Sequence, residues 1–213
     1  MQNSRLNLLL LVLTLSAPTA YSSTVAITSF TNSSSAGHGN YDLAGFQFST
    51  DSSIDVTSLG MWVSGTSLAD SHAIGVYDLA GDLQFSSTVD AGATPDGSGF
   101  TWVNLAGSNV LSAGSWFIGV QYNRGSADQM YDGSGSISMA SGLTFLNAAV
   151  YYSGSPISLS NPAGTAALYT QGLPRDSYIG PNFTFTPASD VPEPGTCGML
   201  IIGAAAFALR RRG

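Results

Sequence analysis

Short runs of alternating apolar and polar residues fill the part of the chain between its two apolar ends, and no stretch there shows helical periodicity beyond two turns. Successive side chains of a β-strand point to opposite faces, so such runs are typical of strands with one buried face. Many short strands separated by turn residues predict an all-β fold, an antiparallel β-sandwich. We expect strands over residues 25–30, 43–49, 54–63, 73–78, 83–89, 100–105, 115–122, 143–152, 166–170 and 178–186, and loops over 31–40 and 124–135.

The clearest local signal is a hairpin. Residues 73–78 and 83–89 are joined by a short segment in which Gly81 supplies the positive φ of a turn. The last strand of such a domain often pairs with the first, and we expect this here. Within residues 143–152 we expect Phe145, Ala149 and Tyr151 to alternate along one strand.

The central third of the chain carries a recognisable order of motifs. A strand ends in Tyr77-Asp78, Gly81 makes the turn, Trp102 lies in the next strand, and Leu111-Ser112-Ala113-Gly114 precedes an aromatic strand. Residues 43–122 thereby resemble jelly-roll domains of exported bacterial proteins, some of which are carbohydrate-binding modules. The resemblance implies a jelly-roll-like fold, and it leaves a carbohydrate-binding module acting on exopolysaccharide as an alternative function.

The N-terminus has the order of a secretory signal peptide. Arg5 precedes an apolar run over residues 8–15, and small residues follow, with possible cleavage after Ala20 or Ala26. We therefore assign residues 1–23 to a signal helix, with a retained N-terminal anchor as the alternative, and residues 24–187 to the β-sandwich domain. Residues 188–213 form a separate tail.

The tail has three parts. Val191, Pro192, Glu193 and Pro194 come first, an uncharged apolar segment follows over residues 197–209, and Arg210, Arg211 and Arg212 end the chain before Gly213. A helix of 13 residues rises about 20 Å, which is short for a hydrocarbon core of about 30 Å. We expect a marginal transmembrane helix whose Arg cluster keeps the C-terminus cytoplasmic. An ordinary C-terminal anchor is the alternative interpretation.

The order of motif, apolar segment and Arg cluster resembles the PEP-CTERM sorting tail of exported Gram-negative proteins. The resemblance implies that an exosortase, a membrane transpeptidase, recognises the tail and cuts near Pro192, Glu193 and Pro194. The anchor in the inner membrane would then be transient, and the body would reach the cell surface or the extracellular matrix. Cys197-Gly198-Met199 departs from the aromatic and Leu-rich start that such tails often have.

The charge of the body excludes nucleic acid as a partner. Between residues 24 and 189 two Arg face eleven Asp, which leaves a net charge of −9, and the chain has no Lys. Such a surface repels phosphate backbones. The single cysteine, Cys197, lies in the tail, so no disulfide is expected in the body.

No metal set or cofactor motif stands out. Calcium is the metal that loop carboxylates would suit, and Asp51, Asp55, Asp96 and Asp132 are the candidates, but their spacing fits no EF-hand. The alternative is that these residues start turns. We expect no metal site and no cofactor.

Catalysis has few candidate residues. His38 and His72 are the only histidines, and the chain has no G-x-S-x-G nucleophile motif. We therefore expect a protein that is not an enzyme. A hydrogen bond between His72 and Asp70 inside a cleft would favour a hydrolase instead.

Aromatic residues are the remaining candidates for ligand binding. Trp62, Trp102 and Trp116 are possible platforms on which sugar rings stack, and core packing is the alternative for each. Trp102 lies on the same face of its strand as Phe100, with Val103 on the opposite face.

Overall fold

The computed structural model describes residues 22–30, 34–37, 43–122, 125–132, 136–151 and 177–188. Within them the chain is all β, as predicted, and no helix there is long and apolar enough to cross a membrane. The predicted tail helix lies outside these residues, as does the predicted signal helix except for Ser22 and Ser23, which are not helical. The described strands are β1 (Thr24–Val25), β2 (Ile27–Phe30), β3 (Ser34–Gly37), β4 (Leu43–Thr50), β5 (Ile54–Trp62), β6 (His72–Tyr77), β7 (Leu83–Val89), β8 (Phe100–Asn104), β9 (Val110–Leu111), β10 (Gly114–Gln121), β11 (Gln129–Asp132), β12 (Ile137–Met139), β13 (Leu143–Tyr151), β14 (Ser177–Ile179) and β15 (Pro181–Pro187).

Two five-stranded antiparallel sheets form the body. Sheet 1 has the order β1-β15-β5-β8, with β9 also paired to β5, and sheet 2 has the order β13-β4-β10-β6-β7. If β1, β4, β5, β6, β7, β8, β10 and β15 are counted as strands one to eight, the sheets read 1-8-3-6 and 2-7-4-5. This is the strand order of a jelly roll, to which β13 adds an edge strand. The first strand pairs with the last, as expected.

The two sheets share one apolar core. Phe46 and Phe48 of β4 are both fully buried, and the ring centroid of Phe48 lies 4.9 Å from that of Phe183 in β15. Burying each such side chain contributes about 1.5–3 kcal/mol relative to leaving it exposed. The contact between Phe48 and Phe183 therefore ties the last strand of sheet 1 to sheet 2.

Bulges change the expected alternation in two strands. The register of β5 with β15 shifts between Thr184 and Phe185, so that both Val56 and Leu59 reach the core. In β13 the register shifts between Phe145 and Asn147, and Ala148, not Ala149, lies opposite Phe46. The simple alternation predicted over Phe145 and Ala149 was wrong because an extra residue in one strand inverts the faces that follow it.

Several element boundaries differ from the sequence-based predictions. Residues 31–40 contain β3, and residues 124–135 contain β11, where only loops were expected; these two strands pair with each other. Both are short and polar, so their pairing depends on the neighbouring strand and not on an apolar pattern. Residues 25–30 and 178–186 are each divided, at Ala26 and at Gly180. The strand predicted over residues 166–170 lies outside the described residues.

Glycines let three strands of sheet 2 approach closely. Gly45, Gly119 and Gly75 lie side by side across β4, β10 and β6. A Cβ atom added to Gly45 would overlap the carbonyl oxygen of Ile118 and lie 2.8 Å from the Cα atom of Gly119. The rings of Phe117 and Tyr77 cover Gly119 and Gly75, since a Cβ atom there would meet ring atoms at 2.9 Å and 2.7 Å. The position of Gly45 therefore admits no side chain.

Replacing Gly45 with alanine tests this packing. We expect Gly45→Ala to lower the free energy of unfolding by at least about 1–3 kcal/mol, because the new methyl group overpacks against backbone atoms that cannot move aside. Gly65→Ala is the control, since nothing lies within 4 Å of a Cβ atom at Gly65. Urea unfolding of the exported protein measures both changes; equal effects of the two substitutions would contradict the close approach.

Candidate functional site

Two of the three tryptophans lie on the outer face of sheet 1. In β5 and β8, Trp62 is paired with Phe100 and Gly60 with Trp102, and both tryptophans are half-buried. A Cβ atom at Gly60 would meet Trp102 Cε3 at 2.5 Å and Cζ3 at 2.6 Å. The six-membered ring of Trp102 therefore lies over the backbone of Gly60, and the ring centroid of Phe100 lies 5.6 Å from it.

A carboxylate fixes the orientation of Trp102. The Trp102 Nε1–H donates to Asp96 Oδ2 at 2.8 Å, and the backbone N–H of Ser98 donates to Asp96 Oδ1 at 2.8 Å. Partial burial acts to raise the pKa of Asp96, but the bonds from Ser98, Trp102 and the Phe100 backbone outweigh it and lower the pKa. Asp96 therefore stays ionised as it holds the indole.

Hydroxyl groups continue the same face of sheet 1. Thr57 Oγ1 lies 2.7 Å from Thr184 Oγ1 and 2.9 Å from Ser23 Oγ, and Ser58 Oγ also bonds Thr184 Oγ1. Asn104 lies opposite Ser58 at the end of β8 and is exposed. An aromatic surface and a row of hydroxyl and amide groups are thus neighbours on one face.

The third tryptophan is elsewhere. Trp116 lies on β10 of sheet 2, opposite Phe48, and packs against the core while its Nε1–H donates to the carbonyl of Ser112 at 3.1 Å. The structure brings together Trp62 and Trp102 but not Trp116. The sequence alternation predicted that Trp102 and Phe100 share one face of their strand. The contact between Trp102 and Gly60 could not be predicted, because it depends on the pairing of β5 with β8.

A buried ion pair lies at the opposite sheet. His72 is 0% exposed, its Nε2 lies 2.8 Å from Asp128 Oδ2, and its Nδ1 lies 2.9 Å from the carbonyl oxygen of Gln121. Asp128 also accepts the backbone N–H groups of Ala69 at 2.8 Å and Asp70 at 2.9 Å. A carbonyl oxygen and a carboxylate only accept, so each ring nitrogen of His72 faces an acceptor oxygen.

This arrangement is suited to holding loops together. Burial acts to raise the pKa of Asp128, but the bonds from Ala69, His72 and Asp70 outweigh it and lower the pKa. His72 bonds Asp128, and not the side chain of Asp70 that the hydrolase hypothesis required. Both ring nitrogens are engaged inside the protein and the ring is fully buried, so His72 is not open to a substrate. No local pattern in the sequence indicates this pair, because 56 residues separate its members.

The calcium candidates are dispersed. Asp55 accepts the backbone N–H of Asn109 at 2.7 Å, Asp96 holds Trp102, and Asp132 lies in β11, where a loop was expected. Among the residues that the structure describes, no three His, Cys, Asp or Glu side chains form a group that could hold a metal ion.

The tail gives the decisive comparison. The model of the PEP-CTERM protein-sorting motif matches residues 190–212. The chain carries a PEP-CTERM sorting motif. This match covers Val191, Pro192, Glu193, Pro194 and the Arg cluster at 210–212, all outside the described residues, and it supports sorting by an exosortase to the cell surface. Comparisons with curated proteins and with solved structures found no match.

The PEP-CTERM motif follows the body directly. The last described residue, Ala188, donates its backbone N–H to the carbonyl of Ser53 at 3.0 Å. The match begins two residues later, at Asp190. The sorting motif therefore starts where sheet 1 ends.

Replacing Asp128 tests the buried pair. We expect Asp128→Asn to cost about 3–5 kcal/mol of unfolding free energy at pH 7, because it removes the carboxylate to which His72 and two backbone N–H groups bond inside the protein. The pKa of Asp128 is lowered in the folded state, so its contribution is present above the ordinary carboxyl pKa of about 3.9 and is lost as the pH falls further.

The matched control is Asp70→Asn, which keeps the backbone N–H that donates to Asp128. Urea unfolding from pH 7 to pH 3 measures each variant against the unsubstituted protein. A deficit of Asp128→Asn that stays constant to pH 3, or an equal deficit in Asp70→Asn, would contradict the role given to this carboxylate.

Proposed function

We propose that this is a non-enzymatic exported protein whose β domain is delivered to the cell surface or extracellular matrix by an exosortase-type pathway. The signal peptide, residues 1–23, directs export. The apolar segment and Arg210–Arg212 then hold the chain transiently in the inner membrane. A membrane transpeptidase cuts near Pro192, Glu193 and Pro194 and removes the anchor. The match of the sorting motif to residues 190–212 is the observation that carries this proposal.

The position of the motif fits processing of a folded body. Three residues separate Ala188 from Pro192. A fully extended chain spans about 3.3–3.6 Å per residue, so Pro192 lies at most about 14 Å from Ala188. The enzyme therefore meets the motif close to the end of sheet 1 near Ser53. Pro192 and Pro194 favour an extended chain there, which suits a transpeptidase substrate.

The non-enzymatic part of the proposal rests on His72. Both nitrogens of this ring are engaged by Asp128 and Gln121, and the ring is fully buried. His38, the other histidine, lies outside the described residues. In the described body His72 belongs to a buried pair that joins loops, and a substrate could not reach this ring.

A second candidate function is that of a carbohydrate-binding module acting on exopolysaccharide. The observation that favours it is the position of Trp62 and Trp102 on one outer face, beside a row of hydroxyl groups. Sorting and binding are compatible, since sorting describes the route and binding describes what the delivered domain does.

Deleting Pro192–Pro194 tests the sorting proposal. We expect the deleted protein to accumulate as a larger, membrane-associated form, because the transpeptidase no longer recognises its substrate. The matched control deletes Ser64, Gly65 and Thr66, three exposed loop residues. Immunoblots of membrane and released fractions distinguish the two forms. Release of the Pro192–Pro194 deletion at the same size and rate as the control would contradict the proposal.

A further inference from the structure

We propose that the outer face of sheet 1 around Trp102 is a binding platform for a neutral glycan chain. This inference rests on the second candidate function and gives it a location and a ligand class. The platform consists of Trp102, Asn104, Thr57 and Thr184.

The first support is the orientation of the indole. The Trp102 ring lies on Gly60, where any Cβ atom would be 2.5 Å from Cε3. The six-membered ring of Trp102 therefore contacts the sheet at Gly60. The side chain is partly exposed, so its accessible part presents a flat apolar surface. The C–H face of a pyranose ring is flat and apolar in the same way, and the two stack.

The second support is rigidity. Asp96 Oδ2 accepts the Trp102 Nε1–H at 2.8 Å, and the loop that carries Asp96 is itself closed by the bond from Asp96 N–H to the Phe100 carbonyl at 2.8 Å. The Trp102 side chain is held by this hydrogen bond and by its contact with Gly60. A side chain held in this way loses little conformational entropy when it binds a ligand. Trp102 also packs against the buried core cluster, and the proposed platform is the part of the side chain that stays accessible.

The third support is the polar border. Half-buried Thr57 and Thr184 bring two hydroxyl groups to the same face, and exposed Asn104 lies opposite the buried Ser58, two residues beyond Trp102. A sugar ring carries hydroxyl groups around an apolar face. A platform that joins an aromatic ring to hydroxyl and amide groups complements both features of the sugar.

Charge selects the class of glycan. The body between residues 24 and 189 carries two Arg against eleven Asp, and the carboxylate of Asp96 is next to the indole itself. A polysaccharide rich in carboxylate or sulfate groups would be repelled by this surface. The ligand is therefore a neutral glycan.

Affinity electrophoresis of the protein released by its host tests the platform. Native gels contain one neutral polysaccharide each (dextran, a β-1,3-glucan, a galactomannan or a glucomannan) or alginate as the polyanion. We expect at least one neutral gel to retard the protein and alginate not to. Trp102→Ala should weaken the retarding interaction by at least about tenfold, which corresponds to about 1.4 kcal/mol of lost stacking.

Two further variants separate binding from stability. Trp116→Phe is the control, because Trp116 lies on sheet 2 and against the core. Asn104→Ala removes an exposed amide beside the indole and should weaken retardation without altering the core. If Trp102→Ala fails to accumulate, Asn104→Ala decides the question.

Three results would overturn the inference: no retardation by any neutral gel, retardation by alginate alone, or retardation unchanged in both Trp102→Ala and Asn104→Ala. A protein that is released normally but binds none of the gels refutes the platform and leaves the sorting proposal intact. A protein that stays in the membrane refutes the sorting proposal instead.

Discussion

The structure depends on the pairing of its last strand with two others. β15 lies between β1 and β5 in the middle of sheet 1, so both of its edges are hydrogen-bonded. Phe183 in β15 carries the ring that meets Phe48 of sheet 2, and the Asn182 side chain accepts the backbone N–H of Ile27 at 2.9 Å. Without β15, sheet 1 would lose a central strand, and the core would lose the side chain of Phe183.

This position links the fold to the route of the protein. β1 and β15 pair although more than 150 residues separate them in the sequence. β15 ends only a few residues before the sorting motif begins. A jelly roll made of such distant pairings has high contact order, so its formation is slow compared with local structures. The body is complete only when the residues next to the sorting motif are in place. The tail and the closing strand are therefore neighbours in sequence.

The fold class was predictable because its cause is local. Alternation over β4 and the glycine turn between β6 and β7 are patterns within a few residues, and both predictions were confirmed. The pairs that needed distant partners were not predictable. β3 and β11 are short strands without an alternating apolar pattern, and β11 pairs with both β3 and β14. The bulges in β5 and β13 are register shifts that appear only when two strands are paired. The partner of His72 was missed for the same reason, since Asp128 comes from a loop 56 residues away. Trp62 and Trp102 were named as candidates because of their residue type. The contact of Trp102 with Gly60 was not predictable, because it depends on the register between β5 and β8.

The most direct test of this account is the C-terminal residue of the protein recovered from outside the membrane. Intact mass measurement with C-terminal peptide sequencing identifies that residue in the unsubstituted protein. The account predicts a chain that ends near Pro192–Pro194, that retains β15 through Ala188, and that lacks Cys197 and the Arg cluster. A recovered protein that ends at Gly213, or one cut before β15, would contradict it.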